Sequence, residues 1–548
     1  MNANNALFRT VRQRVLQDSG DTRIGASVRF AALTAALALG VWLIYFSTVT
    51  TTWPFQIEFR EGAPLVMTRL LLEGKNPFSL ENQPLAANNY GILYSLSVVP
   101  VAAVLGNTLL AHRAVTVLFI LLSCFLVFRE SYTANRDWGP ALAGAELVMV
   151  GLASLGGLGA FPGSMGTFFF LAALLIPFHR GFDRRSLTLS AFLCVLAFYT
   201  KPYFVLAFGI VASYVFLFVS KKKALDYGAL FAAALLASVF LVKTLFPLYF
   251  VDTFVSNLSQ SEVNVWGQVR WELKTLAIEL APSLIAAAAV LLAAPRRILP
   301  GSDDGADSLS RAKLQFLDRP LFLWRLDYFF YALLCSLLAF VLVLGPHTYN
   351  PLNALPYSYQ LVIPPFFLWL CTVIKPRTWL GLILTPLLVI NAAYFSLAWL
   401  SPAMLNNTLA TRGTWQKLEQ SICNSSHILN SPVIVSEIMR RGIWPVDSGQ
   451  TEFYFEIRDY PHMELVGPGY QAIRDHGDLY LHSLRAGVRE QTYDCIILTQ
   501  YDAVNATMNL AQPQNNLTQH YRQEQTMNLL LPLTHDDFHV SIWSPTRE

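Results

Sequence analysis

Twelve long apolar blocks constrain the fold of this chain more than any other feature of its sequence. Each has about 15 to 23 residues, close to what an α-helix needs to cross a hydrocarbon core about 30 Å thick. Only 14% of the 548 residues are charged, whereas about a quarter are charged in an ordinary soluble domain. The sequence therefore predicts a mainly α-helical, polytopic membrane protein. In chain order the blocks are 28–50, 91–106, 113–128, 140–160, 165–178, 186–199, 202–219, 226–246, 276–294, 326–345, 357–374 and 378–400.

The basic residues between the blocks predict which loops are cytoplasmic, because short cytoplasmic loops are enriched in Lys and Arg. If block 91–106 does not cross the membrane, all six basic clusters fall on one side. That block has only 16 residues and contains Pro100, so we predict a re-entrant or interfacial helix there. The clusters are Arg9/Arg12/Arg14/Arg23, Arg129/Arg136, Arg180/Arg184/Arg185, Lys221/Lys222/Lys223, the 296–325 linker and Lys375/Arg377.

The predicted topology has eleven crossings. Residues 1–27 form a cytoplasmic segment, residues 28–400 form the membrane domain, and its loop 51–112 is external. The alternative is that another weak block, such as 186–199, fails to cross instead. Block 28–50 is too long, and too far from a small-residue cleavage site, to be a removable signal peptide.

Residues 401–548 lack a further apolar block and predict a soluble external domain. A helix is indicated for 411–423, and buried strands are indicated for 431–436, 493–500 and 536–543. These segments predict a small α/β unit. Cys423 and Cys495 both lie in this domain, where an oxidising compartment would permit a disulfide, so we predict a bridge between them.

The first external loop places Glu58, Arg60 and Glu61 just before a short helix punctuated by Pro64 and Gly74. The apolar pattern of that helix predicts that it lies along the outer membrane surface. Two interpretations of the carboxylates stay open. They are helix-start acids paired with Arg60, which the helix dipole favours, or they carry chemistry.

The order of motifs here resembles the GT-C superfamily of polytopic glycosyltransferases. In particular it resembles the bacterial branch of RgtA/B/C/D-like, aminoarabinose-transferase-like and protein-mannosyltransferase-like enzymes. The resemblance rests on Glu58 and Glu61, "LLLEGKNPF" at 70–78, Pro84, "YGILY" at 90–94 and His112/Arg113. It implies an enzyme that moves a sugar from a polyprenyl-phosphate carrier to a glycan, lipid or protein acceptor on the external face. It also implies inversion at the sugar and a bacterial inner (plasma) membrane location.

The same resemblance implies roles for individual residues. A loop carboxylate, Glu61 or Glu58, is the expected general base, and Glu61 is slightly favoured. Lys201 stands in a short external turn, where a charge near the hydrocarbon suggests function, although a Lys that merely snorkels is the alternative. The predicted ligands of the donor and its phosphate are Lys201, Arg113, Tyr203 and His347. The predicted ligands of the sugar or acceptor are Arg60, Tyr90, Tyr94, Tyr349, Asn350 and Gln360, although loop 345–360 is also a plausible simple turn.

One departure from the superfamily bears on metal dependence. Some members use a second acidic motif in the next external loop to hold a divalent metal, but here that loop reads "AFPGSMG" and has no carboxylate. We therefore predict no cofactor, with a divalent metal possible but not favoured. No nucleic-acid partner is indicated.

Two other classes of function compete. A lipid or solute transporter, or a flippase, predicts polar residues in the middle of its spans, and Glu146 is the exception in blocks otherwise almost free of them. A membrane-anchored binding protein would not need eleven crossings. The concentration of polar residues in external loops favours an enzyme acting at the membrane surface.

Overall fold

The computed structural model describes residues 23–255, 265–293, 320–322, 326–344, 351–422, 425–451, 454–455, 470–499, 517–531 and 537–546. All twelve apolar blocks contain helix, as their length and composition predicted. The helices of the membrane domain are α1 (Arg23–Thr51), α2 (Gly62–Leu72), α3 (Ile92–Leu105), α4 (Leu109–Asn135), α5 (Trp138–Ala153), α6 (Gly163–His179), α7 (Arg184–Phe198), α8 (Leu206–Phe218), α9 (Lys221–Leu245), α10 (Val265–Glu279), α11 (Ala281–Ala293), α12 (Tyr328–Ala339), α13 (Pro351–Leu361), α14 (Ile363–Val373) and α15 (Trp379–Trp399).

The lengths of these helices bear on how many cross the membrane. Within the described ranges, four stretches are long and apolar enough to do so: α1, α4, α9 and the stretch 379–421 that begins with α15. A fifth span results if residues 269–279 and α11, which meet at 82°, count as one. Six shorter apolar helices accompany them, and α3 is among these. The count of eleven crossings, the sidedness and the re-entrant nature of α3 stay predictions.

The bend between α10 and α11 is held by side chains of α13 and α15. Asn391 donates to the backbone carbonyl of Glu279 (2.6 Å) and accepts from the backbone N–H of Ser283 (3.1 Å). The Glu279 carboxylate accepts from Tyr359 and Trp399, each at 2.7 Å. Backbone groups freed by a break in an apolar environment need such partners. The break is therefore a built feature of the bundle.

The C-terminal domain, which the sequence predicted to be external and which we call the external domain, continues directly from α15. It contains α16 (Pro402–Ala410), α17 (Arg412–Ser421), α18 (Val435–Arg440), α19 (Tyr470–Arg489) and α20 (Leu517–His520). Its sheet has the order β1-β2-β4-β3, formed by β1 (Ile428–Leu429), β2 (Cys495–Leu498), β3 (Tyr521–Leu530) and β4 (Asp537–Pro545). The β1–β2 pair is parallel and the other two pairs are antiparallel. The predicted small α/β unit is thus present.

The alternation of side chains along β2 assigns the two faces of this sheet. Ile496 and Leu498 pack with Leu481 and Leu484 of α19, whereas Ile497 on the other face joins the apolar cluster that continues into the membrane domain. A strand buried on both faces reads as an unbroken apolar run. This explains why β2 was predictable from sequence.

The strand predicted for 431–436 is wrong. Residues Pro432–Ile434 form a 3-10 turn that leads into α18, and strand β1 already ends at Leu429. A short apolar run does not distinguish a strand from a buried helical turn, and Pro432 occupies the first position of the turn, where its fixed φ fits. Cys423 lies outside the described residues, so its predicted bridge to Cys495, a buried residue of β2, stays a prediction.

Helix α2 forms where the sequence predicted it, but it does not lie open on a surface. Leu65, Val66 and Leu70 pack with Val435 and Met439 of α18, so one side of the helix is covered by the external domain. Helix α3 packs against α2 as well. The apolar side that suggested contact with lipid is thus buried between the two domains.

Candidate active site

Four segments that the sequence predicted to be external meet at one point of the membrane domain. They are the 58–61 turn, the residues before α3, the turn between α7 and α8, and the end of α13. Gly91 explains part of this convergence: its N–H donates to the Thr200 carbonyl (2.9 Å), and a Cβ there would stand 1.9 Å from the carbonyl oxygen of Tyr199. Only glycine permits so close an approach. The start of α3 is thereby docked beside Lys201.

Glu61 and Arg113 form an ion pair that is closed to solvent on both sides, with both side chains 0% exposed. The guanidinium donates to the two carboxylate oxygens at 2.8 and 2.7 Å, and its remaining N–H groups donate to the carbonyls of Thr50, Trp53 and Phe55. All five donors that a guanidinium carries are thus used.

The Glu61 carboxylate is equally occupied by its neighbours. Besides Arg113 it accepts from the backbone N–H groups of Ile57 (2.8 Å) and Ala160 (3.0 Å). An ionised carboxylate has about four acceptor positions, and all four are filled. This pair connects the loop 51–112, α4 and the segment before α6. It leaves no hydrogen-bonding position for a substrate hydroxyl or a phosphate.

Glu58 and Arg60 form a second ion pair with a different environment. The Glu58 side chain is 1% exposed and Arg60 is 29% exposed. Glu58 accepts from the backbone N–H of Arg60 (2.6 Å) and from Arg60 Nε (2.5 Å). Burial raises the pKa of the Glu58 carboxyl above its ordinary value, against the opposing effect of Arg60. The two terminal amino groups of Arg60 make no hydrogen bond to any described residue.

Lys201 lies in a cage of aromatic rings next to this pair. Its Nζ is 4.8 Å from the ring centroid of Tyr90 and 5.7 Å from those of Tyr203 and Tyr357. No carboxylate of the described residues forms an ion pair with it. Burial, together with the smaller effect of the positive charge of Arg60, lowers the pKa of Lys201 to about 7. Two cations therefore face one space without a matching number of carboxylates.

The far wall of this space comes from α13. Tyr203 donates to Gln360 Oε1 (2.6 Å) and packs edge-on against Tyr357 (5.1 Å between centroids). Gly163 allows Gln360 to approach, since a Cβ there would stand 2.3 Å from its amide nitrogen. Phe161 closes another side, with its ring 5.6 Å from the Arg60 guanidinium. We call this cluster of two cations, aromatic rings and one buried carboxylate the cationic pocket.

The structure brings together six of the predicted site residues: Glu58, Arg60, Tyr90, Lys201, Tyr203 and Gln360. It separates Tyr94, whose hydroxyl donates to the His112 carbonyl (3.0 Å) in the core behind α3. Glu61 and Arg113 lie in the closed pair. His347, Tyr349 and Asn350 lie outside the described residues.

Sequence reasoning missed Phe161 as a wall of this pocket. The sequence analysis considered its loop only for the lack of a carboxylate. A single aromatic residue between Ala160 and Pro162 does not by itself indicate a binding site. Within the described ranges, no three His, Cys, Asp or Glu side chains lie close enough together to hold a metal ion. The cofactor prediction stays a prediction.

Comparison with known proteins gives a fold but no sequence family. Neither a family model nor a curated protein sequence matches this chain. Among solved structures, the chain is similar to ArnT from Cupriavidus metallidurans, in a crystal structure with undecaprenyl phosphate bound. The TM-score is 0.56 at 10% sequence identity, and the match covers 92% of this chain and 97% of that one. ArnT is a GT-C protein, and the chain therefore has the GT-C-like fold that the sequence resemblance predicted.

Proposed function

We propose that this protein is a membrane glycosyltransferase. It takes a sugar from a polyprenyl-phosphate carrier and transfers it, with inversion, to a glycan, lipid or protein acceptor on the external face of a bacterial inner membrane. The N-terminus is then cytoplasmic and the domain 401–548 is external. The likeness to ArnT, whose crystal structure holds undecaprenyl phosphate, supports the class of donor.

One observation carries the proposal: Lys201 and Arg60 both lie close to Tyr90 and Tyr357, beside the buried Glu58 carboxylate, and the outer amino groups of Arg60 make no hydrogen bond to any described residue. Two cations held this close repel each other unless an anion lies between them. A phosphate group satisfies both, and a guanidinium with two outer amino groups free matches two phosphate oxygens. Arg60 and Lys201 are thus the proposed ligands of the carrier phosphate.

Glu58 is the proposed general base. The acceptor O–H attacks the anomeric carbon of the sugar, the bond from that carbon to the phosphate oxygen breaks, and the proton moves to Glu58. The carrier leaves as a phosphate whose new negative charge is stabilised by Arg60 and Lys201. A carboxylate with a raised pKa is a better base, because its proton affinity is closer to that of the reacting group.

Glu61, which the sequence slightly favoured as the base, fits the role less well. Its oxygens accept from Arg113, Ile57 and Ala160, and a base needs at least one oxygen directed at the proton that it takes. Arg113 likewise fits a phosphate ligand less well than Arg60 does. Tyr90, Tyr203 and Gln360 are the proposed contacts of the sugar.

Incubation of the purified protein with a panel of polyprenyl-phosphate sugars and candidate acceptors tests the proposal directly. We expect release of the carrier phosphate and one anomeric product of inverted configuration. The Glu58→Gln variant should bind the carrier but release it about 100- to 10,000-fold more slowly. Glu73→Gln is the matched control, because Glu73 is also paired with an Arg in loop 1 but lies far more exposed. Absence of transfer with every donor, together with movement of a labelled lipid or solute across vesicles, would favour a transporter instead.

A further inference from the structure

We infer that the external domain is part of the active site: its segment 446–451 positions the Glu58–Arg60 turn and Tyr90, with Gly449 and Gln450 as positioning residues. The activity readout of this inference rests on the proposed function. The chemistry proposed above uses side chains of the membrane domain alone, and nothing in the sequence between 401 and 548 indicated a role in it.

Gly449 makes the first contact. It lies at φ +91°, and a Cβ there would stand 2.7 Å from the carbonyl oxygen of Phe59 and 3.3 Å from the Cα of Arg60. The approach is reciprocal, because a Cβ on Gly62 would stand 2.7 Å from the Ser448 carbonyl oxygen. Two backbones thus touch at the turn that carries the proposed base and one phosphate ligand.

Gln450 makes the second contact. Its side chain is fully buried, and its Oε1 accepts from the backbone N–H of Asn89 at 2.9 Å. The next residue, Tyr90, is held by a bond from its N–H to the Asn88 side chain (2.9 Å) and lies over Lys201. The same two residues of the external domain therefore fix both sides of the pocket.

Gln56 ties the turn to a second segment of the external domain. Its amide donates to the carbonyls of Pro432 (3.1 Å) and Phe59 (3.2 Å), and its Oε1 accepts from the N–H of Ser436 (3.1 Å). The catalytic turn is thus clamped between residues 432–436 and residues 447–450.

The 446–451 segment is itself rigid enough to act as a template. Asn430 accepts from the N–H of Val446 (2.6 Å) and donates to the Asp447 carbonyl (2.8 Å). The Asp447 carboxylate accepts from the N–H of Gly449 (2.9 Å), and Thr451 accepts from the N–H of Ser448 (3.1 Å). Side chains that satisfy a loop's backbone fix its shape, so a change at Gly449 is transmitted to Arg60 rather than absorbed.

The test compares Gly449→Ala with Gly442→Ala. Both glycines lie in the external domain at a similar φ (+91° and +79°), but a Cβ at Gly442 meets nothing within 4 Å. Both substitutions place an alanine at a positive φ, and only the Cβ at position 449 meets the 58–61 turn. A displacement of about 1 Å in a catalytic group lowers the rate by roughly 100-fold. We expect a loss of about that size in kcat/KM for Gly449→Ala beyond the loss for Gly442→Ala.

A pH profile separates positioning from a general loss of structure. A displaced Arg60 weakens its hydrogen bonds to Glu58, so the pKa of Glu58 rises and the fall of kcat at low pH begins at a higher pH. Gly442→Ala should keep the wild-type profile. An equal loss of activity and unshifted profiles in the two variants would overturn the inference.

Gln450→Leu provides a second variant in case Gly449→Ala does not fold. It removes the acceptor of the Asn89 N–H at nearly constant shape, and Gln471→Leu, on the exposed face of α19, is its control. We expect a lower kcat in Gln450→Leu than in Gln471→Leu. Loss of a buried acceptor also lowers thermal stability, so kcat is compared at a temperature at which both variants are fully folded. Identical activity of the two variants would contradict positioning by Gln450.

The affinity for undecaprenyl phosphate can be measured without turnover, from the rise in the unfolding temperature of the full chain when this lipid is added. Gly449→Ala should weaken binding relative to Gly442→Ala, because Arg60 is displaced. A wild-type chain that binds this lipid but transfers no sugar overturns the proposed function alone. Equal binding by both variants overturns the inference alone.

Discussion

Glu58 and Glu61 lie three residues apart in the 58–61 turn and each pairs with an arginine, Glu58 with Arg60 and Glu61 with Arg113 of α4, but the two pairs have different surroundings. In the Glu61–Arg113 pair every donor and acceptor is used inside the protein. In the Glu58–Arg60 pair the carboxylate is buried but Arg60 is 29% exposed and keeps two amino groups open to the pocket. The number of unused hydrogen-bonding positions therefore distinguishes the closed pair from the pair that we propose to be reactive.

The comparison also separates two meanings of burial. A buried pair that is fully hydrogen-bonded is costly to break, because removal of one partner leaves an uncompensated charge. A buried carboxylate beside an open cationic pocket instead has a perturbed proton affinity and a place for a ligand, which is typical of functional sites.

The largest expected effect is on catalysis by Glu58→Gln. General base catalysis contributes about 100- to 10,000-fold to a rate, so kcat should fall by that factor. Binding of undecaprenyl phosphate should stay close to wild type. The thermal unfolding temperature should fall less than in Glu61→Gln, because the partner Arg60 is 29% exposed and water can solvate its charge. Glu73→Gln should behave as wild type. Full turnover by Glu58→Gln would remove it as the base.

The next largest effect is expected for Glu61→Gln, which should lower the stability of the fold. Breaking a buried pair costs about 3–5 kcal/mol, so this variant should unfold at a much lower temperature, or be recovered in low yield, in the same detergent. Loss of activity should follow the loss of folded protein. A Glu61→Gln variant that is as stable as wild type but inactive would reverse the assignment and make Glu61 the base.

A smaller effect is expected on donor affinity through Lys201→Ala. A hydrogen bond to a charged group contributes about 1.5–3 kcal/mol, so the KM for the donor should rise roughly 10- to 100-fold. The control is Lys75→Ala, since Lys75 also lies over an aromatic ring, that of Trp444 at 5.4 Å, but away from the pocket. An unchanged donor KM in Lys201→Ala would exclude this residue from the site.

The smallest effect concerns pH. With its pKa lowered to about 7, Lys201 is charged below pH 7 and loses its charge above it, so donor affinity should weaken as the pH rises from 7 to 9. A polyprenyl-phosphate sugar is a phosphodiester and does not titrate there. Lys201→Arg keeps its charge throughout, and its donor affinity should not change over this range. If donor affinity changed with pH in the same way in the wild-type protein and in Lys201→Arg, Lys201 would not be the titrating ligand of the donor phosphate.

Part of the site could be predicted from the sequence, because only loops on the same side of the membrane can contribute residues to one site. Arg60, Lys201 and Gln360 were predicted on one side of the membrane from the distribution of basic residues, and the structure brings them to one pocket. Tyr90 and Tyr94 were predicted to act together because they stand in one motif. Helix α3 begins only at Ile92, so Tyr90 precedes it and contacts Lys201, whereas Tyr94 lies in the first turn of the helix and packs in the core.

By itself, the sequence determined the class of protein, the positions of its apolar helices and the loops in which polar residues collect. These features depend on composition and on local periodicity, which are properties of short segments. Tertiary structure alone decided which of Glu58 and Glu61 is saturated with hydrogen bonds. That outcome depends on Arg113, 52 residues away, and on the backbone of Ala160. It also decided that Gly449 contacts the Glu58–Arg60 turn. Such a contact depends on the packing of segments nearly four hundred residues apart, and the local sequence pattern of neither segment predicts it.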